Sequence, residues 1–143
     1  MADPYFEEGI VVAGHKVRQQ DIRRLQLAKA ATAAGLLLLT KGCVPVTLYL
    51  AGGFGYYLDG LKAEQIGLLP KGFGQNCVAV GNLALEGAFL YGQSQFAEKL
   101  AAAACERMQK MKDQATVINL AMQPEFEKVY VQNMNFPENG GAV

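Results

Sequence analysis

The sequence has no Cys-x-x-Cys pair, no excess of charge of either sign and no apolar run long enough to cross a bilayer. Its three cysteines, Cys43, Cys77 and Cys105, lie far apart. An odd, scattered count with no leader visible predicts reduced thiols in a cytoplasmic protein. Each thiol is expected as a small core residue rather than a metal ligand. Thirteen basic residues balance thirteen acidic ones, so there is no global electrostatic case for nucleic acid or an anionic membrane. The longest leucine run, Leu36–Leu39, falls far short of a membrane span. Two phosphate-binding signatures are also missing: the Gly-x-Gly-x-x-Gly dinucleotide fingerprint and the Lys-Ser/Thr of a P-loop.

What remains is a chain of 143 residues, 51% hydrophobic and 18% charged, enough for one domain with a real core. It is organised around VTLYLAGGFGYYLDGLKAEQIGLLP, from Val46 to Pro70. Val46–Leu50 is a short apolar run rich in β-formers and predicts a buried strand. Ala51-Gly52-Gly53-Phe54-Gly55 then makes a glycine turn, and Leu61–Gly67 reads as a short helix stopped near Gly67 and Pro70. A strand, glycine turn and helix in this order bring bare backbone to a ligand at the carboxyl end of a strand. Equally, the glycines serve the geometry of a tight turn and nothing more.

Upstream, Gly9–Ala13 reads as a short strand or lead-in. Asp21 opens a long helix whose expected apolar face is Ile22, Leu25, Ala28, Thr32, Gly35, Leu36 and Leu39. Gln26 and Lys29 lie off that stripe, Lys29 among small alanines. Downstream, Cys77–Val80 predicts a second strand, Asn82 a cap for a helix over Leu83–Tyr91, and Glu86 a solvent-facing carboxylate. Gly92-Gln93-Ser94 should break that helix. A further helix is predicted over Gln95–Lys112, with Phe96, Leu100 and Met108 on its apolar stripe and Met111 in the core. Thr116–Leu120 predicts a third strand and Glu125–Met134 a last helix after Pro124. The expected domain covers 9–137, with flexible ends at 1–8 and 138–143. Its alternation predicts an α/β fold with a thin, mostly parallel sheet of three to four strands covered by helices. Such a sheet wants both faces covered, so the chain reads as half of something larger.

Four stretches carry a family resemblance: Gln20–Ala31 (QDIRRLQLAKAA), Tyr49–Asp59 (YLAGGFGYYLD), Ile66–Pro70 (IGLLP) and Val80–Asn82 (VGN). In this order the chain resembles the C-terminal region of the ferredoxin-linked ATPases that reductively activate corrinoid proteins. These belong to the superfamily of acetate and sugar kinases, heat-shock chaperone ATPases and actin. The resemblance covers roughly 9–137 and implies an incomplete ribonuclease-H-like half-domain. It implies that Gly52 and Gly53 match the superfamily's adenosine motif, that Phe54 and Gly55 extend the turn, and that Gln26 and Lys29 frame an adenine or ribose. ATP or ADP is the implied cofactor and a corrinoid protein the partner of the whole protein, in which ATP-driven closure supports reduction of Co(II) corrinoid to Co(I).

The chain also departs from the family. It lacks the Asp-x-Gly phosphate loops that hold Mg²⁺, and it has no four-thiolate set for a [2Fe–2S] cluster; both would belong to missing regions. The early β-meander is missing, and Arg18 stands where relatives tend to carry a hydroxyl helix cap. ATP hydrolysis is therefore not expected from this chain alone. The alternatives are a non-enzymatic docking module, dimerising through an open sheet edge, and a site for another small anionic ligand at the glycine turn.

Overall fold

The structure, a computed structural model, describes residues 9–94 and 98–137. It divides into two compact units. The first takes in the described residues of 1–46, 59–76 and 120–143, and the second those of 47–58 and 77–119.

The first unit begins with an antiparallel hairpin, β1 (Ile10–Val12) on β2 (His15–Val17), which pairs Ile10 with Val17 and Val12 with His15. The two-residue turn Ala13-Gly14 has positive φ at both positions, the geometry that matches strand twist. β2 was not expected from the sequence. Helix α1 (Gln19–Leu39) follows. Its cap residue, Arg18, offers no side-chain acceptor; instead Asp21 Oδ2 accepts from the Arg18 backbone N–H at 3.0 Å. The helix ends where the Gly42 N–H reaches back to the Leu37 carbonyl at 2.8 Å.

The buried face of α1 keeps only Gly35 of the expected stripe, of which Ile22 and Leu36 are half-buried. It is Lys29, Ala30, Ala33, Ala34 and Gly35, whereas Leu25 is 41% and Leu39 57% exposed and Ala28 and Thr32 are also exposed. Small side chains let a neighbouring element approach closely: a Cβ built on Gly35 would lie 3.2 Å from Leu120 Cδ1. The next helix in the chain, α2 (Gly52–Tyr56), belongs to the second unit. In the first unit, Asp59 Oδ1 caps α3 (Gly60–Gln65) by accepting from the Lys62 N–H, and Ala63, Leu69 and Phe73 complete a core with the α1 alanines. A short 3-10 turn, Leu120–Met122, and the last helix (Phe126–Gln132, α6 in chain order) close the unit, that helix packing on α1.

The second unit holds a parallel pair, β3 (Leu48–Ala51) on β4 (Cys77–Gly81), in register from Leu48 with Cys77 to Leu50 with Ala79 and irregular at Ala51. The short helix α2 leaves β3 directly. Helix α4 (Leu83–Ser94) is capped by Asn82, whose Oδ1 accepts from the Leu85 N–H at 3.1 Å. It packs with α5 (Glu98–Gln114). α4 runs through the expected break at Gly92–Ser94. The expected start of α5 at Gln95 and its Phe96 lie outside the described residues, as do the predicted flexible ends 1–8 and 138–143.

The fold is α/β, but among the described residues the expected sheet of three to four strands is instead two two-stranded sheets, one of them antiparallel. Thr116–Leu120 forms no strand: residues 115–119 are irregular and Leu120 opens the 3-10 turn. Val117 is 95% exposed, so its apolar, β-branched character meets no neighbouring strand to pair with. Two further core expectations also fail. Met108 and Met111 are exposed, and Cys43 is exposed while Cys77 and Cys105 are half-buried. Among the described residues, no helix is long and apolar enough to cross a membrane.

Candidate functional site

β3 delivers its carboxyl end to four residues that α2 gathers into one turn: Gly52, Gly53, Phe54 and Gly55. Each glycine is there for a different reason. Gly52 has φ +84°, a conformation L side chains rarely adopt. Gly55 is buried, and a Cβ there would sit 3.1 Å from the Leu50 backbone carbon and 3.2 Å from Leu50 Cβ, so it lets the turn fold back onto β3. Gly53 needs neither. Its φ is ordinary, it is exposed, and a Cβ would meet nothing within 4 Å. The chain's own packing gives no reason for a glycine there, and its backbone stands open to an approaching molecule.

Aromatic surface flanks the turn. Phe54 is 76% exposed and Tyr57 85%. Tyr56 and Tyr57 meet edge to face, with centroids 5.1 Å apart. Tyr56 and Tyr57 are not among the site residues expected from the sequence, although an adjacent tyrosine pair directly after the glycines is a visible signal.

Gln26 and Lys29 stand one turn apart on α1 in the first unit, Gln26 half-buried and Lys29 1% exposed. The Lys29 ammonium donates to the carbonyls of Asn133 and Asn135, both at 2.6 Å, and lies 5.1 Å from the Phe136 ring centroid. Burial pushes its pKa below the ordinary lysine value. Its stem and its charge are both spent inside the unit, so the side chain presents neither to solvent. Glu64 is another group the sequence did not signal. Its two carboxylate oxygens accept from the Gly72 and Gly74 N–H groups at 2.8 Å each, clasping the polar loop after α3. No spacing rule marks a carboxylate eight and ten residues from its donors.

Among the described residues, no three His, Cys, Asp or Glu side chains come together to hold a metal ion. Three cysteines cannot supply the four thiolates of a [2Fe–2S] cluster, so no chemistry of this chain is routed through one.

With this geometry in view, comparison with known proteins settles the family. Residues 7–142 match the family model described as the C-terminal domain of RACo, the ASKHA domain. The chain belongs to this family. ASKHA domains have an actin-like, ribonuclease-H-like α/β fold, and the strand–helix alternation here is of that type. The corrinoid activation enzyme RamQ of Eubacterium limosum is 37% identical to this ASKHA chain over 147 residues, covering 94% of the chain and 23% of RamQ. The chain thus spans about a quarter of the length of that curated relative. No solved structure matches it.

Proposed function

We propose that this chain is the adenosine-side lobe of an ATP-dependent activator that supports reduction of Co(II) corrinoid proteins, not catalytic by itself. In this reading Gly52, Gly53, Phe54 and Gly55, all in the second unit, contact ATP or ADP. Three things favour the reading: membership of an ASKHA family, likeness to a corrinoid activation enzyme, and above all Gly53, whose missing side chain nothing in the protein requires. Bare N–H groups at such a turn suit a ribose or α-phosphate oxygen, and an exposed ring such as Phe54 suits a purine face. Mg²⁺ and the β- and γ-phosphates would be held by other parts of a longer protein, as would the redox cluster. The corrinoid protein is the partner of that whole assembly.

Calorimetric titration with ADP and ATP tests this. The wild type should bind in the millimolar to micromolar range, and Gly53→Val should lose binding while keeping its fold, because a Cβ at this position meets nothing within 4 Å. Equal binding by both chains would reject the glycine turn as the site.

A second reading has its own support. Among the described residues β3 and β4 pair as strands with each other alone, and short sheets of this kind can be extended by a strand of another chain. On that reading the chain is a docking or homodimerisation module. Light scattering that gives a monomer mass independent of concentration would exclude the homodimer.

A further inference from the structure

Two remote segments of the first unit converge on the Lys29 ammonium. Lys29 of α1 reaches the carbonyls of Asn133 and Asn135, and the Phe136 ring lies beside it. Gly67, just past α3, has φ +76°. A Cβ there would stand 3.1 Å from the Pro137 ring and 3.2 Å from Lys29 Nζ, so Pro137 and the lysine head share the space the glycine leaves. The segment Asn133–Pro137 therefore runs over the ammonium as a strap, anchored at one end by α6, where the Asn133 N–H and Nδ2 both donate to the Val129 carbonyl.

What holds the strap is unlike what holds the core beneath it. Ala30, Ala33 and Ala34 are held by apolar packing at 0–1% exposure. Beyond its α6 anchor the strap contributes two carbonyls, a ring that is 39% exposed and a proline. Among the described residues Lys29 has no carboxylate within ion-pair distance, so its charge is answered by the two strap carbonyls and the Phe136 face. A buried cation whose donors lack acceptors is costly, which ties closure of the strap to burial of the ammonium.

We propose that Asn133–Pro137 is a latch strap that closes on Lys29 and opens as a unit, without unfolding α1. The strap is a conformational device of the first unit and does not depend on nucleotide binding.

The test uses the full chain and backbone ¹⁵N relaxation, with Lys29→Met and Phe136→Ala. Methionine keeps most of the lysine's volume but removes every donor. Replacing Phe136 by alanine removes the ring and leaves the ammonium in place. In both variants the backbone order parameters at positions 135 and 136 should fall from the rigid range near about 0.85 to below about 0.6. The amides of Ala33 and Ala34 should keep wild-type exchange protection. Unchanged order at positions 135 and 136 would overturn the proposal. So would loss of protection at Ala33 and Ala34 in step with the strap, or a Lys29→Met chain that does not fold, since either makes the lysine part of the core rather than its latch.

Discussion

Gly53 and Gly55 are two residues apart and indistinguishable as letters, yet the structure separates their roles. At Gly55 a methyl group would press on the Leu50 backbone, and overpacking of this kind costs about 1–3 kcal/mol. At Gly53 the same methyl group meets nothing, and alanine at a compatible backbone position typically stabilises by about 0.4–1 kcal/mol. Urea unfolding should therefore show Gly55→Ala destabilised and Gly53→Ala equal to or slightly above wild type. Lys29 gives a second residue-scale expectation. Its folded-state pKa lies below its unfolded value through burial, so between those two values the unfolded chain binds the extra proton. Stability rises with pH across that interval and is level below it. Lys29→Met removes this dependence. The stability difference between wild type and variant, followed by urea midpoints into the alkaline range, should move in favour of wild type as pH rises; movement the other way contradicts the assignment.

Elements were legible where local chemistry decides them. Asn82 reads as a helix cap and acts as one, and β3, β4, α1 and α3 lie within a few residues of their expected places. They were illegible where tertiary packing decides. α1 carries two candidate faces, one of leucines and one of alanines, and periodicity favours the larger side chains, while close packing buries the smaller ones. Thr116–Leu120 has the composition of a strand but no partner strand, and composition alone supplies no hydrogen bonds. In the candidate site the glycine turn was readable because a strand followed by glycines is a local pattern. The commitment of Lys29 to Asn133 and Asn135, 104 and 106 residues away, was not. The Glu64 clasp belongs to the same class. Glu64→Ala strips Gly72 and Gly74 of a charged acceptor, a change worth roughly 1.5–3 kcal/mol, and should loosen the loop after α3. Chemical denaturation measures the cost, and amide exchange at Gly72 and Gly74 localises it.

At the scale of the whole molecule the two units are unequally built. The core side chains Ala30, Ala33, Ala34, Ala63, Leu69 and Phe73 all belong to the first. The second exposes Tyr49 and Val78 on its strands and Phe89 and Leu90 on α4, although a parallel sheet is ordinarily covered on both faces. Uneven burial of this kind predicts uneven stability. Amides of β3 and β4 should exchange well before those of the α1 alanines, and the tyrosine signals of the second unit should be lost before that of Tyr130 in the first. Coincident transitions would show instead that the two units share one cooperative core. A lobe with so little apolar burial of its own fits a chain that aligns with a quarter of a longer relative.

The proposed contact between nucleotide and protein is the glycine turn after β3. The most direct measurement is an amide ¹H–¹⁵N map of the chain titrated with ADP. Saturable shifts should centre on Gly52, Gly53, Phe54 and Gly55 and vanish in Gly53→Val. Saturable shifts confined to other residues, or a wild-type map unmoved at millimolar ADP, would contradict it.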